Sequence, residues 1–538
     1  MQSAFSYFFS RTDYVLAALI FVTMFSLLLS FKAVRIDEFY GDTAMYFQSI
    51  ENIASRGVPV SQAKEGIDDY SFGAEPVSKI AKDPHGIFGT PTPVLERSVL
   101  LGHAYLILYP IALLVKLFPV KIVLLSIYVL SFTFLILLAY FLLRSKEVSA
   151  GAAGLFCLLV LSQPTWSEGL LWGQFYPDRI FIGAGFIFMS LASIDDNQRI
   201  AKVPNRFWLL ALGILCASLN ERGALTSGIF LLAYSALYWG RPGFNRYYRL
   251  ILGVGLFAYG YIVMKFFLPS DVAYHSFMPT TPSGLLSLIE DPHFASGILL
   301  FLLVNAPLFV IACFQWRAAA IAALLMAPNI IGNIGGAEKT GWSTHYMSYF
   351  FPALVWAALM GYSALYRLAS VRRVLPGVYA GIGALILSLG TLNPYLFPLN
   401  IKIANLENTF LPMFNSQADV YLLSTVARNN LERAAEGIRR AVPRGAVVSS
   451  VEGGMTPLYQ DHLIEFYPAD IDNADYAVLD SQLINGKLSY YGAISYLGSV
   501  EQAKLNDLAL ARMKSDGYDL DHPQLFPALG LAVVKRGR

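Results

Sequence analysis

Charge is scarce in this chain: only 14% of its 538 residues are Asp, Glu, Lys or Arg, against about 25% in an ordinary soluble domain. With 56% apolar and 14% aromatic residues and a mean hydropathy of +0.52, that shortage excludes a soluble globular chain. It points to an α-helical polytopic membrane protein. Excess charge of either sign is lacking as well. Thirty-nine Lys and Arg against 37 Asp and Glu leave a formal +2, too balanced for a polyanion-binding surface, so nucleic acid is excluded as a main partner. Cysteine is rare. Cys157, Cys216 and Cys313 all fall inside apolar runs, lack the spacing of a metal site or disulfide framework, and read as small packing residues. Gly-rich phosphate loops, zincin motifs and nucleophile elbows are missing. So are internal repeats, which removes support for duplicated transporter halves.

What the chain has is long apolar runs. The first, Tyr14 to Val34, has no small-residue cleavage site behind it and reads as an uncleaved signal anchor. Others follow near 120–143, 148–164, 176–194, 207–219, 224–239, 247–268, 296–315, 317–333, 347–366 and 374–393, giving about eleven spans. The 207–239 stretch reads either as two short spans meeting at Asn220-Glu221-Arg222 or as one long one. With a cytoplasmic N-terminus, the inner loops carry Arg11, Arg144, Lys146, Arg199, Lys202, Arg206, Arg241, Arg246, Arg249, Arg317, Arg367, Arg372 and Arg373. The short outer loops carry only Arg179, Arg222, Lys265 and Lys339, the asymmetry of the positive-inside rule. The expected domains are a membrane region, 1–399, and an extracytoplasmic domain, 400–538.

Two outer segments are too long to be connectors. Residues 35–119 form a long first periplasmic loop opening with Asp37, Glu38 and Asp42. Within it, Ala44, Phe47, Ile50 and Ala54 mark an amphipathic helix over Thr43 to Ser55. Val94 to Phe118, interrupted by Glu96, Arg97, His103 and Pro110, fits an interfacial helix better than a span. After residue 400 the composition turns soluble. Helices are expected at Asn429 to Ala441 and Val500 to Lys514, and strands at Ala446 to Val451, Leu463 to Tyr467, Tyr476 to Asp480 and Leu529 to Lys535. Together they predict a small α/β C-terminal domain.

Several short motifs carry a resemblance. They are Asp42 with Tyr46 and Gln48, Gly102-His103 followed by Leu108-Tyr109-Pro110 and Leu117-Phe118-Pro119, Asn220-Glu221-Arg222, His345-Tyr346 with Pro352, and the tail segments Ala446 to Ser449 and Ala474 to Asp480. With the long acidic first loop, the span count and the outer tail domain, they resemble the GT-C superfamily of integral-membrane glycosyltransferases. The nearer likeness is to an uncharacterised prokaryotic membrane family placed in that superfamily, although that family carries a His-Phe-Ser-Pro-like string where this chain reads His103-Ala104-Tyr105-Leu106. The resemblance implies transfer of a sugar from a polyprenyl-phosphate donor to a lipid, glycan or protein acceptor. The resemblance places that transfer, as an expectation, on the outer face of a bacterial or archaeal cytoplasmic membrane, with an acidic first-loop residue assisting.

Sugar transfer from a phosphate leaving group needs a carboxylate near the acceptor as general base, and cations or hydrogen-bond donors where phosphate charge grows. Asp37, Glu38 and Asp42 are the outer carboxylates nearest the membrane, with Asp42 the expected base and Asp37 orienting the acceptor or holding an ion. Arg222, Lys265, Lys339 and His345 are the cations at outer helix ends, with Tyr346, Glu221 and His103 beside them as donor-site candidates. Each has a structural alternative: Asp42 as a helix cap, Glu221-Arg222 as an ion pair in a turn, His103 and His345 as interfacial hydrogen-bonding residues. Trp166, Trp172, Tyr176 and Trp342 fit an aromatic belt better than sugar stacking, and Asp178-Arg179 marks a helix start. No metal site is specified, although Asp-Glu beside a phosphate could hold a divalent cation. Other function classes stay open: a lipid-linked-sugar flippase or transporter, or a non-catalytic partner in envelope glycan assembly.

Overall fold

The computed structural model describes residues 13–22, 41–62, 97–161, 163, 175–200, 202–240, 245–268, 283–284, 292–332, 345–368, 425–468, 471–484 and 499–537. It is mostly helical. In chain order the helices before the tail are α1 Asp13–Val22, α2 Gly41–Arg56, α3 Leu108–Val115, α4 Val120–Arg144, α5 Ala150–Leu161 and α6 Ile180–Ala192. They continue with α7 Asn205–Leu219, α8 Glu221–Leu237, α9 Arg246–Ile262, α10 Pro292–Ala312, α11 Trp316–Ile331 and α12 Met347–Tyr366. Among the described residues, four stretches are long and apolar enough to cross a membrane: Val120–Arg144, Arg246–Phe267, Gly297–Ile331 and Met347–Tyr366. Val120–Arg144 has 25 residues, about 37 Å of helix, which exceeds the roughly 30 Å of a hydrocarbon core. The run expected over 148–164 is a 12-residue helix, Ala150–Leu161. The 374–393 run lies outside the described residues.

The 207–239 stretch is two helices. Asn220 is extended, with φ −173° and ψ 176°, and its side chain accepts from Gly223 N at 2.8 Å, capping α8 as the chain turns over. Helices α8 and α9 then pack backbone to backbone. A Cβ on Gly228 would sit 2.6 Å from Phe257 N, and one on Gly260 would sit 2.6 Å from the Glu221 carbonyl oxygen. Only a residue without Cβ allows that approach, a packing mode common between membrane helices.

Side-chain contacts define two ends of the bundle. At the far end Arg144 pairs with Asp13, Arg249 with Asp196, Trp356 Nε1 donates to Ser193 Oγ at 2.8 Å, and Arg317 lies over the Tyr238 ring. Arg144, Arg249 and Arg317 are three of the thirteen cations expected in inner loops. The opposite end carries α2, the segment 97–119, Asp178, Asn220 and His345. The helix expected over Val94 to Phe118 is broken in the structure. Arg97–Ser98 pairs with Val60–Ser61, Val99–Leu101 is a 3₁₀ turn, and only Leu108–Val115 is α-helical. Leu114, Leu117 and Phe118 are 45%, 73% and 56% exposed, an outward apolar surface that suits a lipid interface.

The tail region builds one five-stranded sheet from β1 Val447–Ser450, β2 Leu463–Phe466, β3 Tyr476–Asp480, β4 Gln524–Phe526 and β5 Leu531–Lys535, in the order β2-β1-β3-β5-β4. β1 runs parallel to β2 and β3; β5 runs antiparallel to β3 and β4. Helices α13 Thr425–Ala441, α14 Glu452–Leu458 and α15 Ser499–Ser515 accompany it. Arg512 clamps Asp472 at 2.8 and 2.9 Å, tying α15 to the loop before β3. α14 and β4 were not expected from the sequence. Gly453, Gly454 and Pro457 are poor helix formers, yet α14 provides the crossover between parallel β1 and β2. A Cβ on Gly454 would meet Val478 Cγ1 at 2.6 Å, so packing on β3 decides that segment.

Candidate functional site

Helix α2 has the apolar face the sequence expects, and its buried Met45, Tyr46, Phe47, Ile50 and Ile53 turn toward the bundle. Tyr46 OH donates to Tyr105 OH at 3.2 Å, and Tyr105 OH donates to Asp178 Oδ2 at 2.7 Å. The other carboxylate oxygen, Oδ1, accepts from Asn220 Nδ2 and from Tyr349 OH. Asp178 is 0% exposed, and two phenols and an amide compensate the cost of burying its charge. The network joins the segment before α3 to the starts of α6, α8 and α12. It also fixes Glu221 and Arg222, which directly follow Asn220.

Successive helix residues point about 100° apart, so Glu221 and Arg222 do not pair with each other as the sequence had allowed. Glu221 Oε1 meets His103 Nδ1 at 2.7 Å, and Oε2 accepts from Ala104 N at 3.0 Å. Glu221 is 1% exposed and His103 14%. Arg222 turns the other way: its Nη1 lies 3.3 Å from His345 Nε2, and its guanidinium is 5.8 Å from the Tyr346 ring centre. His345 sits just ahead of α12, with the Tyr176 ring at 4.5 Å, Tyr346 at 4.3 Å and His103 at 6.4 Å between centroids. Burial pushes the His345 imidazole down to about 3, so the neutral ring can accept from Arg222 at Nε2. Its proton then sits on Nδ1, which is buried and has no hydrogen-bond partner among the described residues. A guanidinium, two imidazoles and a carboxylate therefore lie together at one end of the bundle.

The structure brings His103, Glu221, Arg222, His345 and Tyr346 together. Lys265 is apart, exposed in the π turn Val263–Phe267 that ends α9. Asp37, Glu38 and Lys339 lie outside the described residues, as do Trp166, Trp172 and Trp342. Asp42 is the second residue of α2, so the helix begins at or before Gly41, ahead of the position a cap at Asp42 would give. Gln48, on the opposite side of α2 from Tyr46, accepts from Ser61 Oγ at 2.7 Å and Gln62 N at 2.9 Å and donates to Tyr459 O at 3.4 Å. Among the described residues no three His, Cys, Asp or Glu converge as a metal site would require. No protein-family model matches the chain, and no curated protein matches it.

Asp178 and its two tyrosines escaped the sequence reading. Asp178 stands beside Arg179 at a helix start, and an adjacent pair there looks like ordinary capping. Tyr105 and Tyr349 are two of 31 tyrosines. The available signal was that Asp178 falls at the same expected end of its helix as Asn220 and His345.

Proposed function

We propose that this protein is a membrane glycosyltransferase of GT-C type that moves a sugar from a polyprenyl-phosphate donor to an acceptor hydroxyl. Supporting this reading is the juxtaposition of Arg222 and His345 with the His103–Glu221 pair at the end of the bundle that bears α2. Arg222 offers a fixed, bidentate-capable cation to a phosphate whose charge grows as the sugar leaves. A polyprenyl tail would lie in lipid along the exposed apolar surface of Leu114, Leu117 and Phe118. Asp37, Glu38 and Asp42 supply carboxylates toward the acceptor, and the tail sheet selects or covers the acceptor. A transporter would want charges near the bilayer midplane. In the described helices of the bundle, every Asp, Glu, Lys and Arg lies within about a turn of an end.

The deciding experiment is transfer of labelled sugar from defined polyprenyl-phosphate monosaccharides by purified protein in lipid nanodiscs. Turnover with at least one donor supports the reading, and none with any of them defeats it. Orientation is proposed with the N-terminus in the cytoplasm and the tail sheet outside. Cysteines placed at Ser416 and Ser499, in a background lacking native cysteines, should react with an impermeant thiol reagent on intact cells, and cysteines at Ser145 and Ser370 should not.

A further inference from the structure

The first-loop carboxylates are the group expected to take the acceptor's proton, but the described residues hold another group with the geometry for it. His103 Nδ1 faces Glu221 Oε1 at 2.7 Å. An ionised carboxylate only accepts hydrogen bonds, so Nδ1 carries a proton, and in the neutral ring Nε2 is then the acceptor nitrogen. Glu221 is itself immobilised: its second oxygen takes the Ala104 amide, and its helix start is pinned by Asn220 on Asp178. The partners come from segments 118 residues apart, so the pairing is tertiary and not a local helix cap. His103 keeps 14% exposure while Glu221 keeps 1%, so the imidazole is the more accessible member of the pair. A buried carboxylate that sets the tautomer of a reachable imidazole is an arrangement suited to general-base work. The Arg222 cation proposed for the donor phosphate is one ring away, through His345 at 6.4 Å between centroids.

We propose that His103 is the general base of the transfer and that Glu221 is its positioning residue; the inference rests on the glycosyltransferase reading. His103 Nε2 takes the proton of the acceptor hydroxyl as the oxygen bonds to the anomeric carbon. The bond from that carbon to the phosphate oxygen breaks, and its electron pair leaves with polyprenyl phosphate opposite Arg222. The imidazolium then passes its proton to water or to the departing phosphate. Asp37, Glu38 and Asp42 are left to orient the acceptor.

The test uses full-length protein in nanodiscs with undecaprenyl-phosphate glucose, mannose, galactose and arabinose, each labelled in the sugar. The acceptors are n-octyl glycosides, and the readout is loss of label from the donor lipid. His103→Ala should lower kcat on the order of 10²- to 10⁴-fold, with binding of undecaprenyl phosphate unchanged within about threefold, and added imidazole should restore part of the rate. Glu221→Gln should lower kcat comparably, because an amide N–H facing Nδ1 forces the proton onto Nε2. Spectra of ¹⁵N-histidine-labelled protein, assigned with His103→Gln, should show the proton of His103 on Nδ1; a proton on Nε2 overturns the assignment without reference to any donor. His103→Ala with near-native kcat also overturns it. So does loss of undecaprenyl phosphate binding and melting temperature in step with activity and without imidazole rescue, the signature of a purely structural tie. Asp42→Asn or Asp37→Asn costing on the order of 10²-fold beside a near-native His103→Ala would return the base to the first loop. A wild-type protein that transfers none of the four sugars overturns the glycosyltransferase reading and this base with it.

Discussion

At the far end of the bundle Arg249 is 0% and Asp196 2% exposed. Arg249 also donates to the carbonyls of Ala192 and Ile194, so its charge is neutralised and its donors are taken up by protein. At the opposite end Glu221 is as deeply buried, but its partner His103 reaches the surface and Arg222 faces a neutral imidazole. One end closes its charge off within an ion pair, while the other sets a guanidinium against a neutral ring. Buried ion pairs of the first kind are costly to break, since removing one member strands the other away from water.

Four substitutions sharpen or break that contrast. The largest effect is expected for Asp196→Ala, which strands the Arg249 guanidinium and should cost about 3–5 kcal/mol, read as a fall in melting temperature and in folded yield. A mild Asp196→Ala would erase the distinction between the ends. Arg222→Ala comes next in size and differs in kind. It removes a charge-assisted contact of about 1.5–3 kcal/mol, so undecaprenyl phosphate binding should weaken roughly 10- to 100-fold with the melting temperature nearly unchanged. If Arg222→Ala instead unfolds the protein, Arg222 belongs to the structural class.

Asp178→Asn probes a group at the site end that behaves like the far end. Asparagine retains one acceptor oxygen but turns the other position into a donor facing an occupied donor. A stability loss of about 1–3 kcal/mol is expected, measured by thermal denaturation, with activity falling through the displaced Glu221 and Arg222.

The smallest effect concerns Glu51, where the tail meets α2. Tyr459 OH and Gln460 Nε2 donate to Glu51 Oε1 at 3.4 and 3.3 Å, while burial raises its pKa above the ordinary 4.5. The folded protein therefore holds this proton more tightly than the unfolded chain. The contribution of Glu51 to docking is fullest below 4.5 and fades as pH rises through the raised value. Glu51→Gln keeps the acceptor and removes the titration, so susceptibility of the tail to limited proteolysis should lose this pH dependence and drop slightly at neutral pH. An unchanged pH profile would take Glu51 out of the docking surface.

How much was legible in advance depended on range. The amphipathic α2 and the tail strands β1, β2, β3 and β5 follow from local periodicity, and the structure has them at nearly the expected bounds. The site was half legible: polar residues at expected outer helix ends stood out as costly in an apolar chain, which brought forward Glu221, Arg222 and His345, while His103 entered through the first-loop motif of the resemblance. Which of them pair did not stand out, nor did Asp178, Tyr105 and Tyr349, because spacing along one strand or helix says nothing of a group from another segment.

The sequence by itself determined that the chain must bury long apolar helices, that its charges crowd at their ends, and that a region able to fold as helix and sheet follows them. Those are consequences of composition and period, which act residue by residue through transfer free energy and backbone geometry. Only the tertiary structure decided that 207–239 turns over at Asn220, that Glu221 faces His103 and not Arg222, that a Gly-Gly-Pro segment makes the helix between β1 and β2, and that Asp178 ties the site together. Each of these is set by which surfaces meet: the closeness of Gly260 to the Glu221 backbone, the 100° step between neighbouring helix residues, the need of a buried carboxylate for donors wherever in the chain they originate.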